Sequence, residues 1–387
     1  MRILHTSDWH LGRSFHGISL HDISLEFLKE LIETVKEQEI DAVLVSGDIY
    51  DQAQPRTETI GLLSFVLEEL SALGCTVILS SGNHDSAIRL GFASQLLARQ
   101  KVHFLTSVEQ IDQPVVLEKD GVQVTVFGLP YLEPRSTARR FEVAPSHRAV
   151  LAYATQKART RLEEFREEQF DPAASILMAH CFASGSQSSE SERDIAVGGI
   201  ETVDFEVFRD FSYVGLGHLH GRQKLTDSIR YSGSPLAFSF SEENHRKGGW
   251  VLEISEKGIE SVNEIIWKTH LELKTLRGKI DDLCQSEEFT AYESSICRIY
   301  ITDDVRPLGA LERLRARFAT VAELYFEPEN RTQEPRQSYA QRVSQDMNTQ
   351  QVCENFFEHV RGVALEEAEE EYLESVCTSV QAEEVKA

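Results

Sequence analysis

Long apolar runs are missing from this chain. Across its 387 residues no hydrophobic stretch reaches the roughly 18–20 residues of a bilayer-spanning helix, so no membrane partner is expected. The chain opens directly into a strand-like segment, Met1-Arg2-Ile3-Leu4-His5, and a cytoplasmic location without a secretory leader is expected. Cysteine is sparse: the six (75, 181, 284, 297, 353 and 377) are dispersed without a CxxC pair, which speaks against a disulfide framework and fits a reducing cytosol. Basic residues are outnumbered. The 39 Lys and Arg face 63 Asp and Glu, a net charge of −24, which argues against a general nucleic-acid-coating protein. A G-x-x-x-x-G-K-[ST] loop is also absent. The one Gly-Lys pair, Gly278-Lys279, is followed by Ile280, so any ATP dependence must come from another chain.

What is present has the composition of a globular protein, with 41% apolar and 26% charged residues. At roughly 150 residues per domain the length predicts two or three domains. Charge is uneven along the chain. Leu365–Ala387 holds eight Glu and one Lys, whereas Arg135–Arg161 holds seven Arg or Lys against Glu142 alone. The basic stretch is either a phosphate-contacting surface or a solvated helix face.

Strand and helix signals alternate up to about residue 110. Met1–Thr6, Ala42–Ser46 and Thr76–Ser80 read as strands. Leu25, Leu28, Leu31, Ile32 and Val35, then Leu62, Leu63, Val66, Leu67 and Leu70, recur at helical spacing between them. Further on, Val115–Leu117, Val122–Leu129, Ser175–Ala179, Tyr213–Leu216, Ile229–Ser232 and Trp250–Ile254 read as strands joined mainly by turns, with a helical stretch over Ser146–Gln169. These signals predict an α/β fold: two sheets packed face to face with helices outside, the first parallel and the second more antiparallel. Ser184–Arg193 reads as a mobile polar loop, and Asn330–Arg336 as a linker. The expected domains are residues 1–268, a small α+β domain over 269–335, and a linker with a helical tail over 336–387. In the tail, Val352, Phe356, Val360 and Val363 form an apolar stripe that a lone helix cannot bury, so it folds back or docks on a partner.

Five short blocks of ligand-type residues follow apolar strands: Asp8-Trp9-His10, Gly47-Asp48, Gly82-Asn83-His84-Asp85, His180 and Gly217-His218-Leu219-His220. Strand ends are where sites collect in α/β sheets. Carboxylates, an amide oxygen and imidazoles suit Mn²⁺, Fe²⁺ or Zn²⁺ rather than a thiolate site. Asp8, His10, Asp48, Asn83, His180, His218 and His220 exceed the needs of one ion, so two ions sharing a carboxylate are expected. Asp8 and His10, two apart on an extended segment, would face one side. Gly47 lets the backbone bend beside a metal. Each block alone is weak, since Gly-Asp is common at turns and a lone His is commonly structural. The specificity lies in all five occurring in this order.

This set resembles the calcineurin-like metallophosphoesterase superfamily, whose pattern D-x-H, G-D, G-N-H-D, H, G-H-x-H it matches. Within that superfamily Thr6–Gly12, Gly47–Asp51, Ser81–Asp85, Gly217–His220 and Tyr231–Pro235 resemble the SbcD-type nucleases, relatives of the Mre group. The likeness by motif covers about residues 1–265. It implies one ion on Asp8, His10, Asp48 and His220 and another on Asp48, Asn83, His180 and His218, with Asp48 as bridge. His84 is placed to protonate the departing sugar oxygen, and Asp85 is expected to hold its imidazole, to cap the turn, or to do both.

The resemblance further implies a Mn²⁺-dependent DNA nuclease, exonuclease on duplex ends and endonuclease on single strands and hairpins. It implies a homodimer within a heterotetramer with an SbcC-like, SMC-type ATPase, in DNA repair and recombination. The 269–335 domain would be the cap that steers DNA. Arg13, His16, Arg139 and Arg140 are the candidate DNA contacts, and Val352, Phe356 and Val360 the candidate partner contacts. A phosphomonoesterase or cyclic-nucleotide phosphodiesterase keeps the chemistry with another substrate. A non-catalytic scaffold would be expected to lose ligands, and none is lost.

Overall fold

The computed structural model describes residues 1–191, 203–329, 348–361 and 364–384. The chain divides into two compact units, Met1–Leu271 and Glu272–Ala387. In the first, the strands are β1 (Arg2–Thr6), β2 (Ser14–Phe15), β3 (Ile18–Ser19), β4 (Ala42–Ser46), β5 (Thr76–Ser80), β6 (Val102–Leu105) and β7 (Val115–Lys119). They continue with β8 (Val122–Gly128), β9 (Ala174–His180), β10 (Tyr213–Gly217), β11 (Gln223–Lys224), β12 (Ile229–Tyr231), β13 (Gly248–Ser255) and β14 (Gly258–Ile266). The helices are α1 (His21–Glu37), α2 (Thr57–Ala72), the short α3 (Ala87–Leu90) and α4 (Ser94–Leu97), α5 (Pro134–Phe141) and α6 (His147–Glu167).

Two six-stranded sheets carry this unit, in the orders β14-β13-β1-β4-β5-β6 and β11-β12-β10-β9-β8-β7. Side-chain alternation along each strand explains the layering. In the first sheet, Val43 and Val45 pack with Phe27, Leu28 and Leu31 of α1 and with Leu62 and Val66 of α2. Their neighbours Ala42 and Leu44 turn the other way and join Val124, Val126 and Ile176 of the second sheet. Leu177 and Ala179 of that sheet meet Val150, Leu151 and Ala154 of α6. The result is the expected two-sheet sandwich with helices outside. Every residue of β4, β9 and β10 is buried, which is why these strands read as continuous apolar runs rather than alternating ones. Helix α1 buries Phe27, Leu28, Leu31 and Val35 at helical spacing, with Asp22 in its first turn and Lys36 in its last, each suited to the helix dipole.

The expected antiparallel character of the second sheet is corrected. β8, β9, β10 and β12 pair in parallel, because α5 and α6 form the crossover from β8 to β9. Antiparallel pairing is confined to the hairpins β7-β8 and β11-β12 in this sheet, and to β13 against β1 and β14 in the first. Asp120 and Gly121 turn the β7-β8 hairpin with φ of 50° and 83°. Strands β6 and β14 were not expected. β6 is four residues long, and β14 is a largely polar edge strand, so neither has a strong period-2 signal.

The second unit contains a parallel sheet in the order β15 (Leu273–Gly278), β16 (Ile296–Ile301), β17 (Thr320–Phe326). Leu276, Cys297, Ile299 and Ile301 pack with Ile280 and Leu283 of the helix Ile280–Gln285 and with Leu314 of Ala310–Arg315. The tail carries two helices instead of one, Thr349–Arg361 and Glu367–Glu384, joined by an Arg361–Glu369 ion pair of 2.7 Å. Val352 is half-buried, and Phe356 and Val360 are exposed. Val363 and the linker Asn330–Arg336 lie outside the described residues.

Candidate metal centre

Loops leaving β1, β4, β5, β9 and β10 meet above the sandwich, and they bring all seven candidate ligands into one cluster. Asp8, His10 and His220 each offer a ligand atom within 4.8 Å of the others, as do Asp8, Asp48 and His180. The Asp48 Oδ2 oxygen lies 3.6 Å from His10 Nε2 and 3.3 Å from His180 Nε2. The Asn83 amide oxygen is 3.0 Å from His180 Nε2 and 3.2 Å from His218 Nδ1. His220 Nε2 faces His10 Nε2 at 3.2 Å. The two histidines of the last block are thus splayed, His218 toward Asn83 and His220 toward His10.

The loops reach this geometry by unusual backbone. Asp8, His10, Asp48 and His218 have φ of 54°, 43°, 49° and 102°. The extended arrangement expected for Asp8 and His10 is therefore replaced by a tight left-handed turn. Such conformations cost energy outside glycine and gather at functional sites. Main-chain bonds hold them: Asp8 N donates to the Gly47 carbonyl at 3.0 Å, and His10 N to the Asp48 carbonyl at 2.9 Å. A Cβ on Gly82 would strike the Asp48 carboxylate, and one on Gly217 the Ser46 carbonyl.

Electrostatics follow from burial. Burial pushes the His10 and His218 imidazoles down to about 3, keeping them neutral and ready to ligate. Burial raises Asp8 to about 6, against the pull of His180 and His220. At Asp48 burial works against ionisation, but His180 and the other histidines overcome it and hold the carboxyl well below its usual range. His180 answers in kind: burial opposes its charge, and Asp48 lifts it to about 9.

His84 sits at this cluster, its ring 4.7 Å from that of His10. Asp85 does not hold that ring. Its carboxylate accepts from the backbone N–H of Ile49 at 3.1 Å, Tyr50 at 2.9 Å and Gly82 at 2.9 Å, tying two ligand loops together. The Nδ1 of His84 is instead 2.8 Å from the Asp51 carbonyl oxygen. This corrects the partner expected for His84; three convergent amides outcompete one imidazole for a carboxylate.

The candidate DNA contacts fare unevenly. Arg13 is spent locally, with its guanidinium 3.2 Å from Asp51 and 4.7 Å from the Phe238 ring centroid. Arg140 pairs with Glu109 on the surface. His16 and Arg139 are exposed. Of the basic stretch, Lys157, Arg159 and Arg161 also pair with acids, whereas Arg135, Arg139 and Arg148 are exposed and have no ion pair among the described residues.

Three residues behind the ligands were missed. Asp51 Oδ1 is 3.3 Å from His10 Nδ1. Its place in the run Gly47–Asp51 was a usable signal. Glu242 and Ser191 stand behind His220, with Ser191 Oγ 2.7 Å from His220 Nδ1 and 2.8 Å from Glu242 Oε1. No local pattern marks them. Burial opposes charge on Glu242, yet Lys247 and His220 hold it well below the usual range. The described part of Ser184–Arg193 is accordingly pinned rather than mobile: Ser189 and Ser191 are buried, and Gln187 N donates to Gln223 at 2.7 Å. Glu192 and Arg193 lie outside the described residues.

The model of the calcineurin-like phosphoesterase family matches residues 1–222. The SbcD component of the SbcCD nuclease of Staphylococcus epidermidis is 34% identical over 287 residues, 74% of each chain. The chain belongs to the SbcD family of calcineurin-like phosphoesterases. A second SbcD relative, from Staphylococcus saprophyticus, is 31% identical over 290 residues, again 74% of each chain. All five ligand blocks fall inside the residues that the calcineurin-like phosphoesterase model matches. Among the described residues no helix is long and apolar enough to cross a membrane.

Proposed function

We propose that this chain is the nuclease component of an SbcCD-type complex, hydrolysing DNA phosphodiesters at a centre for two divalent ions. The observation that carries the reading is the placement of Asp48 Oδ2 between His10 and His180, as a bridging carboxylate requires. The donor set fits the ions: carboxylates, imidazoles and one neutral amide oxygen, with no thiolate, suit Mn²⁺. Asp8, His10, Asp48 and His220 would hold one ion, and Asp48, Asn83, His180 and His218 the other. When bound, the ions supply positive charge at the scissile phosphate and acidify the attacking water. His84 handles the other proton. The Asp51 carbonyl can only accept, so it keeps one proton on Nδ1; the doubly protonated ring carries a second on Nε2, which passes to the departing sugar oxygen and leaves a neutral imidazole.

The remaining assignments extend this reading. Residues 269–335 orient DNA, and Arg139 with its exposed neighbours Arg135 and Arg148 tracks phosphates. The exposed Ile88, Phe92 and Leu96, 89%, 80% and 64% accessible just after the His84 loop, supply a surface for homodimerisation. Phe356 and Val360 supply a dock for the SMC-type ATPase. The complex acts in the cytosol, where the six free thiols stay reduced.

The test is digestion of a labelled DNA hairpin and a blunt duplex in Mn²⁺, with and without the ATPase partner and ATP. Cleavage that disappears in Asp48→Ala is expected. Brisk turnover of a small phosphodiester with none of DNA would move the chain to the phosphodiesterase reading. Deleting residues 343–387 is expected to spare metal binding and abolish association with the ATPase.

A further inference from the structure

Behind His220 lies a buried polar hub that the reaction itself does not use. Glu242 is 1% exposed and Lys247 7%, and they form an ion pair of 2.5 Å. Ser239 Oγ donates to Glu242 Oε1 at 2.7 Å, and Ser189 Oγ to the same oxygen at 3.2 Å. Lys247 also donates to the His220 carbonyl at 2.9 Å. Burying a charged pair is costly unless its remaining hydrogen-bond capacity is met, and here it is met on both sides. One member of the hub differs from the rest. Ser191 bonds both Glu242, at 2.8 Å, and the His220 ring, at 2.7 Å from Nδ1.

We infer that Ser191 and Glu242 are positioning residues for the metal ligand His220. The imidazole Nδ1–H donates to Ser191, and the Ser191 hydroxyl donates to Glu242. A carboxylate acting on a ligating imidazole fixes its tautomer and raises its basicity, and here the action passes through an intervening hydroxyl. Glu242 reaches His220 Nδ1 directly only at 3.7 Å, so the serine is needed to complete the chain. Lys247 holds the carboxylate in place and the His220 backbone with it, so ring and main chain of one ligand are set by a single hub. The inference rests on the two-ion reading above.

Ser191→Ala and Ser239→Ala separate this role from plain stability. Each removes one buried hydroxyl bonded to Glu242 Oε1, and of the two it is Ser191 whose hydroxyl is bonded to the His220 ring. Mn²⁺ binding to the full-length chain is measured by calorimetry, with the Mn²⁺ paramagnetic resonance spectrum as a second readout. Wild type is expected to bind two ions. Ser191→Ala is expected to bind one of them ~10–100-fold more weakly, with recovery in Ser191→Thr, while Ser239→Ala binds both as wild type does. Equal losses in the two Ala variants would reduce the hub to a structural element and overturn the inference, as would unchanged binding in Ser191→Ala. Absence of Mn²⁺ binding in wild type would overturn the two-ion reading itself, a result distinct from either.

Discussion

The two sheets bring different chemistry to the centre and hold it by different means. The first supplies both carboxylates, the amide and one imidazole, on loops laced main chain to main chain through Gly47 and Asp48. Three of those four ligands, Asp8, His10 and Asp48, sit in left-handed backbone. The second supplies imidazoles alone, and two of them rely on remote partners: His180 Nδ1 on the Ser46 carbonyl at 3.0 Å, and His220 on Ser191. The first half is a cradle encoded locally, at a cost of order 1–3 kcal/mol per strained residue. The second half is aimed from a distance. A centre built this way exists only once the sandwich has formed.

The comparison can be broken hardest at Asp48, where the halves touch. Asp48→Ala is expected to remove both ions and drop nuclease activity to background, read by calorimetry and hairpin cleavage together. Retained binding of two ions would show that the halves do not depend on a shared carboxylate. His84→Gln leaves both halves intact and is expected to keep metal binding while lowering turnover ~10²-fold or more; unchanged turnover would remove His84 from the proton transfer.

Smaller effects sharpen the contrast. Gly82→Ala drives a Cβ into the Asp48 carboxylate and is expected to cost about 1–3 kcal/mol in urea unfolding. Gly61, with nothing nearby, is the control, and equal effects at both would count against a tight cradle. The mildest effect concerns protons. Metal ligation needs His180 neutral and Asp8 ionised. Since their values in the apoprotein are about 9 and about 6, Mn²⁺ affinity is expected to rise as pH goes from 6 to 9. Binding at neutral pH should release protons, visible as a buffer-dependent calorimetric enthalpy. A flat profile would remove the Asp48–His180 pair as the electrostatic link between the sheets.

The same division explains what the sequence discloses. Ligands of the first half announce themselves because a left-handed turn at a strand end demands a short local pattern such as Gly47-Asp48, and close packing on Asp48 demands a glycine at position 82, just before Asn83. The strands beneath them are apolar on both faces and equally plain. The parallel second sheet was harder to read, because pairing of β8 with β9 is decided by the α5–α6 crossover and not by anything in either strand. The polar support is hardest of all. Asp85 reads as a partner for the adjacent His84 or as a turn cap, and it is the amides of Gly82 in its own loop and of Ile49 and Tyr50 in another that claim it. Glu242 and Ser191, 51 residues apart, become neighbours only through the fold.

Gly47, Gly82 and Gly217 come from three separate strand ends and lie against His180, Asp48 and Ser46 respectively. At those points the wall of the centre is bare polypeptide. There is no functional group there for drift or design to exchange, and adding one displaces a ligand. Retuning this protein toward another ion therefore has to begin one layer out, at Asp51 or Ser191, where a side chain meets a ligand's ring and not its backbone.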